Sequence, residues 1–416
     1  MLIRRSILVF AAAALLAPLP ALDKASVKPE AVGLSSARLR RITDAMKADV
    51  AAGHIPGALA LIARRGKVAY FETEGLADRE SKTPIRPDTI FRIYSMSKPI
   101  TSVALMMLYE EGKFMLKEPV GRYLPELADL QVLEESPGGN RMVKPKRAPT
   151  VQDLLRHTAG MTYGAFSKSA ADTMYGEVKP LEAATLDDFV ARLARLPLLY
   201  QPGTRWHYSV AVDVQGALIQ KLSGQPFEQF LEERIFEPLG MTDSGFQIAP
   251  GKQARFAAMY APAKEGGLQL APAAMSRGYL EPGVRFPSGG GGLTSTASDY
   301  LRFCQMMLNG GELDGVRLLS RKTVDLMSSN HIDGIAGREG SGYGFGLGFA
   351  VHTDPAASGL NGSKGEYNWG GLAGTKFWID PAEKLIGIYM IQVLPPRVEP
   401  DPGNLFKQLV YQSIAD

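Results

Sequence analysis

The chain has 416 residues, 45% apolar and 21% charged, with 46 Lys and Arg against 43 Asp and Glu for a net charge of +3. This is globular composition with length for a large core in one or two domains, and its well-mixed charges leave no footprint for nucleic acid. Cys304 is the only cysteine, so no intrachain disulfide is possible; its apolar helical surroundings mark it as a buried small hydrophobe.

Residues 1–21 differ from the rest. Arg4 and Arg5 precede an apolar run over 7–16, then Ala17-Pro18-Leu19-Pro20-Ala21. A charged start, an apolar run too short to span a bilayer and a small residue at a cut site predict a secretory signal peptide. The paired arginines leave general and twin-arginine export both open. No cysteine follows the run, so no lipid anchor is expected. The expectation is a periplasmic or secreted protein with no stable membrane anchor after cleavage.

Residues 35–52 carry Leu39, Ile42, Met46 and Val50 on one helical face, with Ser35 or Ser36 as cap. Strand-like 57–63 and 67–72, joined by Arg64-Arg65-Gly66, predict a hairpin. An apolar helical run over 101–111 is closed by Gly112. From about 113 to 300 the chain reads as helical and loop-rich. It has a capped short helix over 150–160, ending at a glycine, and helices over 186–196, 212–223 and 226–236. The four glycines Gly289, Gly290, Gly291 and Gly292 predict a closely approached loop; without a following Lys-Ser or Lys-Thr they are no phosphate cradle. A helix over 298–308, strand-like runs over 343–351, 367–379 and 385–392, and a closing helix over 404–414 complete the chain. Strands at both ends and helices between them predict an α/β sheet domain from 22–112 and 301–416, with 113–300 as an inserted helical domain.

Three stretches carry chemistry. Phe91-Arg92-Ile93-Tyr94-Ser95-Met96-Ser97-Lys98-Pro99-Ile100 sets a serine and a lysine three residues apart at the head of a helix. Positions i and i+3 share a face, so a helix starting at Ser95 points the Lys98 amine at the Ser95 hydroxyl. A neutral serine needs a neighbour to take its proton, and a buried lysine can do so. An N-capping serine beside a solvated lysine fits the same four residues. Ser95 is the only serine in the chain with a lysine three positions on. Tyr208, in Gln201-Pro202-Gly203-Thr204-Arg205-Trp206-His207-Tyr208-Ser209-Val210, is either a proton shuttle beside a cation or a core aromatic. In Tyr367-Asn368-Trp369-Gly370-Gly371-Leu372 the glycines permit close approach. A free strand-edge N–H there would serve an oxyanion together with the N–H of Ser95. The five histidines, His54, His157, His207, His331 and His352, lack the paired spacing of a metal site. No metal or other cofactor is expected.

Taken together, Ser95-x-x-Lys98, Tyr208 and Trp369-Gly370-Gly371, in this order, resemble the serine β-lactamase and penicillin-binding-protein superfamily. Within it the likeness is to class C β-lactamases and, more closely, to the β-lactamase-like carboxylesterases of esterase family VIII. Asp153-Leu154-Leu155-Arg156-His157-Thr158-Ala159-Gly160 and Gly289 to Leu293 support it, and it covers essentially the whole mature chain. The resemblance implies an antiparallel sheet flanked by helices, an all-helical domain, and a site between them. It implies that Ser95 attacks an ester carbonyl, that Lys98 and Tyr208 share the proton transfers, and that the N–H groups of Ser95 and Leu372 hold the oxyanion. Trp369, Gly370 and Gly371 would line the substrate.

The departures matter. Where class C β-lactamases carry Tyr-x-Asn this chain has Tyr208-Ser209-Val210, and where they carry Lys-Thr-Gly it has Trp369-Gly370-Gly371. The amide and the cation that hold a β-lactam are missing, and Trp-Gly-Gly is typical of the esterase group. The Gly-x-Ser-x-Gly elbow of α/β-hydrolases is absent. The expectation is a secreted serine hydrolase of small carboxylic esters. The alternatives are a β-lactamase, a D-Ala-D-Ala-type peptidase or transpeptidase, an acyltransferase, or a silent peptidoglycan-binding relative. Whether Lys98 or Tyr208 is the base stays open.

Overall fold

The computed structural model describes residues 24–165, 167–280, 286–396 and 398–416; the expected signal peptide lies outside them. Helix α1 (Ser36–Ala51) is capped by Ser35, whose side chain accepts from the Arg38 N–H, and it buries Leu39, Ile42 and Met46. Strands β1 (Gly57–Arg64) and β2 (Lys67–Asp78) form the expected hairpin. On its other edge β1 pairs with Leu385–Met390, Leu59 opposite Met390 and Arg64 opposite Leu385, so both ends of the chain share one sheet.

That sheet has eight strands. Their order is Tyr343–Phe345, Ala350–His352, Tyr367–Gly370, Lys376–Asp380, Leu385–Met390, β1, β2 and the short edge strand β3 (Thr83–Pro84), with every neighbouring pair antiparallel. All of β1 is buried because both of its faces are covered. Leu59, Leu61 and Ala63 join the main core, and Ala58, Ala60 and Ile62 join a second core under α1 and the closing helix Pro402–Tyr411. On the main-core side lies the helix Ala297–Leu308, which buries Cys304. Helix α2 (Ser97–Glu110) is buried all round through Leu108, as a central helix must be, and Gly112 follows it at φ 71°.

The middle of the chain contributes α3 (Val151–Leu155), α4 (Ala170–Val178), α5 (Leu186–Leu193) and α6 (Ala211–Ser223), and α2 packs on α6. Short ribbons accompany these helices, Val132–Glu134 with Arg141–Val143 and Tyr260–Pro262 with Leu268–Leu270. The run over 343–351 is two strands, Tyr343–Phe345 and Ala350–His352, turned at Gly348 with φ 98°. The run over 367–379 breaks in the same way at Gly374, φ 88°. The short helix capped at Thr150 ends earlier than its glycine suggests: α3 stops at Leu155, and His157 takes a left-handed φ of 54° ahead of Gly160.

Candidate active site

Ser95 lies in a single 3₁₀ turn, Tyr94–Met96, and α2 begins two residues later at Ser97. Tyr94 has φ 41°, and this left-handed residue bends the chain into the turn. The i, i+3 geometry survives the offset, for Lys98 Nζ donates to Ser95 Oγ at 3.1 Å. Pro99 is the third residue of α2, where its missing N–H leaves no intrahelical bond unmade.

Lys98 is buried and forms no ion pair among the described residues. Its other acceptor is the Gly290 carbonyl, at 2.5 Å. The glycine run is laid along α2 at three points: Lys98 donates to Gly290, Thr101 Oγ1 donates to the Gly289 carbonyl at 2.9 Å, and the Leu293 N–H donates to Ser97 Oγ at 3.1 Å. Side chains would forbid this. A Cβ on Gly289 would stand 2.8 Å from the Val212 carbonyl, and one on Gly290 2.5 Å from Asp213 Oδ2.

Tyr208 OH donates to Ser95 Oγ at 2.6 Å, so both predicted proton carriers touch the predicted nucleophile. The Tyr208 ring is held among aromatics: His157 at 4.9 Å, Tyr163 at 5.3 Å, Trp369 at 5.4 Å and, stacked, Trp206 at 6.3 Å between centroids. Lys98 Nζ stands 4.6 Å from the centroid of that ring. The turn after α3 carries His157 and Thr158. It is tied to the Tyr208 loop by His207 N–H to the His157 carbonyl and Gly203 N–H to the Thr158 carbonyl. Asp153 anchors it from beneath. Burial alone would raise its carboxyl, but Arg147 and bonds from Thr150 and Thr158 bring it down to about 2. Burial, then the charge of Lys98, pushes the His157 imidazole well below its ordinary range and keeps it neutral. Burial, then Tyr208 and Asp213, raises Tyr163, and its hydroxyl bonds to Tyr208.

The opposite wall is the end of strand Tyr367–Gly370. A Cβ on Gly371 would collide with the Ile93 carbonyl and with Thr375 Oγ1, so only glycine lets this strand close on the segment that leads into Ser95. Gly370 pairs with Lys376 in the sheet, and Gly371 donates to the Thr375 carbonyl at 2.7 Å. Leu372, next along, is 58% exposed. Neither the Ser95 nor the Leu372 N–H donates to a protein acceptor among the described residues. One of these amides belongs to the nucleophile itself and the other follows Gly371, which closes on Ile93; a pair of free amides is what an oxyanion needs. Lys364, the cation nearest in sequence to Trp369, is exposed in the turn that precedes that strand, three residues before Tyr367.

Four groups near Ser95 went unmarked in the sequence as parts of its chemistry: Tyr163, Asp213, Gly290 and Arg338. Tyr163 follows the 153–160 stretch by three residues, a signal that was available. Gly290 belongs to the glycine run whose close approach is expected from the sequence; Asp213 and Arg338 have no such signal, since only the tertiary fold brings them to this site. Arg338 stands 4.7 Å from the Trp206 ring with no acid partner among the described residues. Among those residues no group of three or more His, Cys, Asp or Glu side chains is placed to hold a metal.

The Beta-lactamase family profile matches residues 42–412. Protein Rv1367c of Mycobacterium tuberculosis is 37% identical over 372 residues, 87% of this chain and 90% of its own. Esterase EstB of Burkholderia gladioli is 34% identical over 384 residues, 86% of this chain and 91% of its own. Among solved structures, EstCE1, described as a hydrolase with promiscuous acyltransferase activity, has a TM-score of 0.77 at 27% identity, covering 90% of this chain and 99% of that one.

Proposed function

The chain belongs to the Beta-lactamase family, with that family's fold, and within it we propose a serine carboxylesterase acting on small esters. The observation that carries this is Ser95 Oγ within 3.1 Å of Lys98 Nζ and 2.6 Å of Tyr208 OH. Ser95 Oγ bonds to the ester carbonyl carbon as its proton passes to the Lys98–Tyr208 pair. The oxyanion rests on the Ser95 and Leu372 N–H groups. The C–O bond breaks, the pair returns the proton to the departing alkoxide, and water releases the acid by the same path. Likeness to EstB supports an ester over a lactam, and so do the residues at the second and third motifs. Val210, where class C enzymes carry the asparagine, is buried and offers nothing polar, and Trp369 fills the place of the lysine.

A side-by-side panel tests this. An unpaired amide and an unpaired carboxylate cost ~1–3 kcal/mol each, or roughly 10²- to 10⁴-fold together at ~1.4 kcal/mol per tenfold. The expected kcat/KM for p-nitrophenyl butyrate therefore exceeds that for nitrocefin by about two orders of magnitude or more, with a D-Ala-D-Ala peptide not cleaved. Comparable nitrocefin rates would restore a β-lactamase. Acyl transfer to an alcohol is the second reading, favoured by likeness to EstCE1; added methanol in the same panel reads the partition as methyl butyrate formed.

Export is part of the proposal. The mature chain begins near Leu22 and resides in the periplasm or medium, so mass spectrometry of the protein from its native host should find that terminus. An intact Met1 would refute it.

A further inference from the structure

Lys98 carries a charge problem that its own contacts do not solve. It is buried, and its partners are a serine hydroxyl and a carbonyl. A buried ammonium needs a compensating anion. A carboxylate in direct contact would hold that ammonium charged and leave it no lone pair for the Ser95 proton. An acid one step removed offsets the burial while leaving the amine able to lose its proton.

Asp213 stands at that remove. It lies in the first turn of α6, five residues after Tyr208, with no exposed surface. Its Oδ1 accepts from the Gly290 N–H at 3.0 Å and from Ser288 Oγ at 2.5 Å. Gly290 then offers its carbonyl to Lys98 Nζ at 2.5 Å. The second carboxylate oxygen, Oδ2, is buried without a hydrogen-bond partner. An unpaired buried oxygen is costly and calls for a reason. Burial pushes the Asp213 carboxyl up, and the first influence drawing it back is the charge of Lys98.

We propose that Asp213 is a positioning residue, the buried counter-charge of the Ser95–Lys98–Tyr208 cluster, acting through the Gly290 backbone. It holds the glycine loop so that the carbonyl reaches Lys98, and its charge fixes the pH at which the cluster accepts the Ser95 proton. The other titratable and charged groups near the cluster are Tyr163, His157 and the cation Arg338, which stands 4.7 Å from the Trp206 ring. Burial holds Tyr163 protonated and His157 neutral, so neither supplies the anion. The inference rests on Lys98 and Tyr208 carrying the proton in ester hydrolysis.

The test is kcat/KM for p-nitrophenyl butyrate against pH in wild type, Asp213→Asn and Ser288→Ala. Asparagine keeps an oxygen for Gly290 and Ser288 and removes the charge. A negative charge favours the protonated cluster; without it the proton leaves more readily, and the acid limb of the profile moves to lower pH. A shift of about one pH unit is expected for Asp213→Asn. Ser288→Ala, at a partly exposed position, removes one donor from the carboxylate and should move the limb the same way by less. If Asp213→Asn does not fold, Ser288→Ala decides. An unchanged acid limb in the folded variants, or a loss of rate equal at every pH, overturns the inference. A wild type that cleaves no ester would instead refute the reaction it rests on.

Discussion

Ser95→Ala is expected to lower kcat/KM for p-nitrophenyl butyrate by about 10⁴-fold or more and to abolish labelling by a fluorophosphonate. Losing a nucleophile removes the covalent path altogether, and no neighbour replaces it. Ser97 Oγ accepts from Leu293 and Ser102 Oγ donates to Gln215, so both hydroxyls are committed to holding the fold. The nearest rival is Ser209, whose oxygen lies 3.4 Å from His157 Nδ1. Ser209 is buried, and it also accepts from the Ala211 N–H at 3.4 Å, which ties it to the head of α6. Alanine suits the Tyr94–Met96 turn, and Lys98 keeps the Gly290 carbonyl, so the variant should fold. A folded Ser95→Ala protein that still takes the label would move the nucleophile elsewhere, with Ser209 examined first.

What was legible in the sequence was whatever depends on neighbours along the chain. The spacing of Leu39, Ile42 and Met46 marks α1, the turn at Arg65-Gly66 marks the β1–β2 hairpin, and Ser95 to Lys98 is a fixed i, i+3 step that survives even though α2 starts at Ser97. Breaks inside apolar runs were hidden, because Gly348 and Gly374 read as strand glycines until their positive φ shows them to be turns. The surroundings of Ser95 were hidden for a different reason. Asp213 lies 115 positions beyond Lys98 and Gly290 lies 192 beyond it, and no periodicity links such distances. The glycine run did carry a trace of this, since the close approach it predicts is the contact that brings the Gly290 carbonyl to Lys98.

Tyr208→Phe separates the two proton carriers. The phenylalanine ring keeps the packing against His157, Tyr163, Trp206 and Trp369, and Lys98 Nζ keeps its place over the ring. What goes is one oxygen, the one 2.6 Å from Ser95 Oγ. If that oxygen passes the proton toward the leaving alkoxide, kcat for p-nitrophenyl butyrate falls on the order of 10²-fold or more, the usual contribution of a general acid–base group. KM should change little, since the hydroxyl faces the nucleophile. The fold should lose only the worth of a hydrogen bond, ~1 kcal/mol, or a thermal midpoint lower by about 1 °C in a chain of this length. The substrate used also bears on the result. p-Nitrophenolate departs without needing a proton, so an alkyl ester such as ethyl butyrate, whose ethoxide does need one, should suffer more. A larger loss on ethyl butyrate than on p-nitrophenyl butyrate assigns Tyr208 to the leaving-group proton. Equal losses on both place it at the Ser95 proton. A rate near wild type on both returns Tyr208 to the part of a core aromatic and leaves Lys98 to carry the proton alone.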